Sequence, residues 1–159
     1  MRVSILTCII IMIFKQILFA APASGTGLEV GSSQSIKVIV EDPSGITISH
    51  GITEQQLLDK IEIRLRRNGI YPSDKLFNDY FLYLNLGTTE NSYSFTLEFI
   101  RNVNYSVDGT EYSINAPVWI TNGFGLNGDQ TKFRNDVFDA ILDRVDRFSN
   151  EYLKVNSTP

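Results

Sequence analysis

Between residues 93 and 105 apolar and polar side chains alternate. Tyr93, Phe95, Leu97, Phe99, Val103 and Tyr105 fall on one side, with Arg101 interrupting them. Ser94, Thr96, Glu98, Asn102 and Asn104 fall on the other. A period of two predicts a half-buried strand. Asp108-Gly109 follows, a pair that readily takes the left-handed backbone of a two-residue hairpin turn. The return run puts Tyr112, Ile114, Ala116, Val118 and Ile120 on one face and Trp119 on the opposite one. Pro117 has no N–H to give a neighbouring strand, which predicts a sheet edge. Two shorter runs, Ile36–Glu41 and Phe81–Leu86, are apolar on both faces. That pattern suits interior strands, and Asp42-Pro43-Ser44-Gly45 closes the first with turn chemistry.

Elsewhere the period changes to that of a helix. Thr53-Glu54-Gln55-Gln56 is a capping-box pattern, in which the Thr53 hydroxyl serves the Gln56 amide and the Gln56 side chain reaches back. Leu57, Leu58, Ile61 and Leu65 then share a stripe about 100° wide. Asn68-Gly69 supplies the stop, and Pro72 prevents resumption. A second stripe runs through Val137, Phe138, Ile141, Val145, Phe148, Tyr152 and Val155, predicting a long helix from about 131 to 155. Residues 122–128, rich in Gly and Asn, read as a loop. The predicted fold is α+β: a four-stranded, mostly antiparallel sheet, elements in the order β-α-β-β-β-α, with two helices on one face.

The first residues have a different composition. Arg2 precedes an apolar run from Val3 to Phe14, and small residues follow at Ala20, Ala21, Ala23 and Ser24. A positive start, an apolar stretch and a small-x-small site predict a signal peptide over residues 1–23, with Ala20 as the alternative cleavage point. Lys15 departs from the pattern. A spanning helix needs about 20 apolar residues, and a central charge costs roughly 2.5–3.5 kcal/mol, so an uncleaved anchor with Lys15 snorkelling is the competing reading. Residues 24–35, rich in Gly and Ser, read as a flexible leader, and residues 36–156 as a single α+β domain. The protein is therefore expected to be exported, to the periplasm or beyond the cell, and to meet a membrane only through an uncleaved N-terminal segment.

Cys8 is the only cysteine in the 159 residues, so cleavage leaves no disulfide. The formal net charge is −4 at pH 7, and removal of Arg2 and Lys15 makes it more negative. Phosphate-backbone binding needs an excess of Lys and Arg, so no nucleic-acid partner is expected.

Few residues carry a recognisable chemistry. His50 is the single histidine, too few for a conventional zinc site, and no Gly-x-Ser-x-Gly elbow accompanies it. Asp136, Asp139, Asp143 and Asp146 line one helix face. A calcium site wants six to eight oxygens converging from a loop, so this row reads as a solvated surface. The stretch from Asn122 to Asp129 opens onto a helix start but lacks the Gly-Lys-Ser/Thr ending of a phosphate loop. No catalytic residues, metal ligands or cofactor are assigned. Phe81, Tyr83 and Trp119 are the candidate binding residues, expected on the sheet face that the helices leave free, where an aromatic patch would meet a partner.

Two stretches carry a resemblance. Gly51-Ile52-Thr53-Glu54-Gln55-Gln56-Leu57, running on to Arg64-Leu65-Arg66-Arg67-Asn68-Gly69-Ile70, resembles a segment of small exported bacterial proteins of uncharacterised function. The ending from Asp146 to Asn156 is similar to their C-terminal helix. The resemblance implies export and a single α+β domain, and brings no catalytic residues with it. The resulting expectation is a non-enzymatic interaction or assembly module with a protein partner in the cell envelope. The alternative is a small hydrolase, or a small-ligand binder, using a cleft near residues 122–129.

Overall fold

The computed structural model describes residues 26–30, 35–41, 43, 45–73 and 79–156. The signal-peptide reading, with Cys8 and Lys15, falls outside them. Along the chain come β1 (Lys37–Val40), α1 (Gly45–Ser49), α2 (Glu54–Arg67), β2 (Tyr80–Thr88), β3 (Ser92–Val107), β4 (Thr110–Leu126) and α3 (Gln130–Asn156). The strands form one sheet in the order β1-β2-β3-β4. β1 runs parallel to β2, and the other two pairings are antiparallel, so the α+β fold is built on a mixed sheet. The parallel step follows from the connection, since α2 carries the chain back over the sheet between β1 and β2.

One face of the sheet is covered. Val38 and Val40 of β1, Leu82 and Leu84 of β2, and Leu97 and Phe99 of β3 are buried against Leu57, Ile61 and Leu65 of α2 and Val137, Ile141 and Val145 of α3. The capping box forms as the sequence predicts: Thr53 Oγ1 accepts from Gln56 N–H, and Gln56 Oε1 accepts from Thr53 N–H, both at 3.3 Å. Such a cap is worth roughly 1 kcal/mol. The two helices are also tied at their polar edges. Asp146 accepts from Arg64 Nη1 and Asn68 Nδ2, each at 2.8 Å.

Several expectations are corrected. β1, read as an interior strand, is an edge strand among the described residues. Its second apolar face is Ile39, half-buried beside its cross-strand partner Tyr83. The one-turn helix α1 was not expected. Thr47 within it is buried and shares a 2.7 Å hydrogen bond with the hydroxyl of Thr88 on β2. Residues 26–30, read as part of a flexible leader, pack onto the domain. Leu28 is buried, its carbonyl accepts from Asn156 Nδ2 (2.8 Å), and Val30 N–H donates to Asn156 Oδ1 (2.9 Å). Residues 122–126, read as loop, are the last stretch of β4, and only Asn127–Asp129 connects to α3. Asp129 caps that helix, accepting from Thr131 N–H at 3.0 Å.

β3 and β4 outrun the rest of the sheet. β2 pairs with β3 only as far as Tyr80 opposite Arg101, whereas β3 and β4 stay paired to Val107 opposite Thr110. Asp108 and Gly109 close the ribbon at φ 51° and 78°, as the predicted turn requires.

Candidate functional site

Cross-strand partners share a face, so the register fixes what the helix-free side of the sheet displays. Three rows cross it. Ile39, Tyr83, Glu98 and Ile120 form one; Asn85, Thr96 and Asn122 the next; Gly87, Ser94 and Phe124 the third. Phe81 lies one step further along, beside Ile100. Phe81 and Tyr83 are half-buried neighbours on this face. The Tyr83 hydroxyl donates to the Glu41 carboxylate at 2.8 Å, and the Asn85 amide donates to the same oxygen. Accepting that hydrogen bond, Glu41 holds the Tyr83 phenol above its ordinary pKa of 10.0, with burial adding to the effect.

Trp119 does not join them. It stands opposite Phe99 on the helix side, edge-on to Phe148 at 5.3 Å, and its Nε1–H donates to Glu151 at 2.6 Å. The cause is a register shift between Phe99 and Ile100, where β4 carries one extra residue, Val118. That bulge reverses the parity of the strand. Ile120 passes to the open face, and Trp119 passes to the core face.

Glu151 accepts from Arg147 as well as from Trp119, and both hydrogen bonds favour its ionised form. Arg147 is the larger cause, and together they hold the carboxyl below its ordinary value of 4.5 against the opposing effect of burial. A depressed folded-state value means stabilisation that is complete above the unfolded value and is lost as pH falls through the folded one. The pair is partly exposed, so the loss should stay under about 1 kcal/mol. Trp119 is the single tryptophan and reports it directly. Its fluorescence should change on acidification with a midpoint below 4.5, and Glu151→Gln should abolish the transition. An unchanged titration in that variant would refute the assignment.

A depression of about 310 Å³ opens on the helix-free face between the second and third rows, lined by Asn85, Ser94, Thr96, Asn122 and Phe124. Phe95 and Gly123 complete the lining. Asn122 is fixed through its carbonyl, which accepts from Arg144 Nε at 3.3 Å. Phe124 stands 71% exposed at the rim. The sequence places a cleft near 122–129, and the depression lies at the start of that stretch, on strand rather than loop.

The other candidates are engaged elsewhere. His50 donates from Nε2 to the Thr89 carbonyl (3.2 Å) and stacks on Phe133 at 4.3 Å, so its ring is tied to the framework. Of the aspartates on α3, Asp146 binds α2, Asp143 pairs with Arg144 at 2.9 Å, and Asp136 accepts from Asn127. Among the described residues no three His, Cys, Asp or Glu side chains come together as metal ligands. No helix among them is long and apolar enough to cross a membrane.

The feature that sequence reading passed over is the ribbon. Beyond Arg101 its helix-side face carries Val103, Tyr105 and Val107 opposite Ile114, Tyr112 and Thr110. Tyr105 and Tyr112 stack at 5.3 Å, and Tyr105, Val107, Tyr112 and Ile114 are each between 42% and 49% exposed. The reverse face is polar, with Ser113 donating to Asn102 at 2.5 Å. The signal was present in the alternation running past Phe99 to the turn, but strand length against the neighbouring β2 was needed to read it as uncovered. Compared with known proteins, the chain matches no family model and no curated sequence.

Proposed function

We propose that the chain is an exported, non-enzymatic interaction or assembly module that engages a protein partner in the cell envelope. The observation that carries the reading is the amphipathic ribbon. An isolated two-stranded hairpin is at best marginally stable in water, and this one holds a row of apolar side chains that no described element covers. Apolar surface rimmed by polar residues is the usual mark of a partner surface. Asp108 and Glu111 near the tip disfavour burial in lipid and favour a protein with polar groups at the edge of its groove. Export rests on the N-terminal apolar run and its small-residue cleavage site.

Native mass spectrometry of the protein taken gently from its own cell envelope tests this. The expected result is a stoichiometric complex with a second protein and a subunit lacking residues 1–23. Tyr105→Ser combined with Tyr112→Ser should dissociate that complex while shifting the thermal midpoint little, because both positions lie outside the core. A lone species from wild-type cells would overturn the reading. An intact N-terminus would overturn the cleavage.

A further inference from the structure

We propose that the depression on the helix-free sheet face is a binding site for a neutral carbohydrate, seated on Asn85, Ser94, Thr96 and Asn122 and stacked against Phe124. Its volume of about 310 Å³ lies at the small end of ligand sites, which span about 300–1,000 Å³. Its lining joins an apolar part, Phe95, Gly123 and Phe124, to four polar anchors, the amides of Asn85 and Asn122 and the hydroxyls of Ser94 and Thr96, the mixture usual in small-molecule sites.

The polar groups are available. Ser94, Thr96 and Asn122 make no side-chain hydrogen bond among the described residues, and Asn85, whose amide N–H groups face Glu41 and the Tyr83 hydroxyl, keeps its carbonyl oxygen as an acceptor. Each amide side chain offers both donor and acceptor, and each hydroxyl is both at once. That is the complement of vicinal sugar hydroxyls, which also donate and accept. The register puts Asn85, Thr96 and Asn122 on three adjacent strands, spaced by about 4.8 Å per strand, so the row can follow hydroxyls around one ring and onto the next. Gly87 leaves the floor open beside Ser94. Phe124, an exposed member of the lining, supplies an aromatic ring on which the C–H side of a pyranose can stack.

Charge excludes the other ligand classes. No Lys, Arg or His side chain lines the depression, and Glu98 and Glu41 flank it, which opposes phosphates, nucleotides and carboxylates. No carboxylate lines it either, so a metal ion would find only neutral oxygens, too weak a set for a dedicated site. A purely apolar ligand would strand the amides without partners.

The proposal does not depend on the ribbon, which is separate along β3 and β4, so either reading can fail alone. Chitotriose, cellotriose and maltotriose, with inorganic phosphate as the anionic control, are titrated into the full chain purified from its own cells. Binding is followed by calorimetry and by backbone-amide chemical shifts. At least one trisaccharide should bind at millimolar concentration or below, perturbing the amides of residues 94–96 and 122–124, and phosphate should not. Phe124→Ala should weaken that binding roughly tenfold and Asn122→Ala several-fold, while Phe124→Trp keeps it. Both alanine positions are exposed on the sheet surface, so the fold should persist, as the unperturbed amide spectrum will verify. Failure of all three sugars to bind overturns the proposal, as does sugar binding indifferent to Phe124.

Discussion

Phe99→Ala should destabilise the protein by about 3–5 kcal/mol, the range for emptying an aromatic site that cannot collapse. Phe99 is fully buried at the junction of sheet and α3, where Tyr80 (5.8 Å), Phe148 (5.4 Å) and Tyr152 (6.2 Å) surround its ring. Its cross-strand partners are Leu82 and Trp119. The lining therefore comes from two neighbouring strands and a helix, and none of these rings can fill the void without leaving its own contacts. With a total stability typically of 5–15 kcal/mol, the variant should sit close to the limit of folding. Its thermal midpoint should fall by roughly 10–20 °C. Urea unfolding checks the value, with the midpoint moving and the slope unchanged. The control is Phe124→Ala, the same deletion at an exposed position, which should stay within about 0.5 kcal/mol of wild type. A loss below 1 kcal/mol at Phe99 would mean that the aromatic cluster does not anchor α3 to the sheet.

The elements that sequence reading placed correctly are those whose causes are local. The capping box at Thr53, the turn at Asp108-Gly109 and the 3.6-residue stripe of α3 each depend on residues within one or two turns of one another. The misplacements come from causes that act across the sheet. Strict alternation along β4 puts Trp119 on the open face, and a single extra residue at Val118 inverts that alternation. Pro117 gave a hint, since a residue without an N–H beside a bulge-prone stretch is where a strand departs from regular pairing. Residues 26–30 read as linker because three of the five are small or polar; Leu28 among them is buried in the core, and Asn156, 128 residues later, holds its carbonyl. The depression was visible only as a vague cleft. Its four polar side chains come from three strands, and adjacency between strands is not written in the spacing of one of them.

The glycines of β4 show the same lesson at the level of energy, and they make a second strong test. Gly123 and Gly125 suggested a loop, because glycine in a strand costs about 0.5–1 kcal/mol relative to alanine. In the fold they stand opposite Phe95 and Tyr93, whose rings lie over them. A β-carbon at Gly123 would come within 2.2 Å of Phe95 Cε1, and one at Gly125 within 2.4 Å of Tyr93 Cζ. The aromatic rings occupy the space that the glycines vacate, and so recover packing that the missing side chains forgo. Gly123→Ala, which improves most strands, should therefore destabilise this one by about 1–3 kcal/mol, since Phe95 must leave a position in which it is 3% exposed. Phe95→Leu made in the same chain should absorb much of that loss, giving a coupling of about 0.5–3 kcal/mol in a double-mutant cycle. Additive effects would mean that the ring does not rest on Gly123. The substitution also bears on the open face, because the Gly123 backbone joins Asn122 to Phe124 across the floor of the depression. If displacing Phe95 moves that backbone, Gly123→Ala should perturb the amides of Asn122 and Phe124 while leaving those of the distant ribbon tip in place.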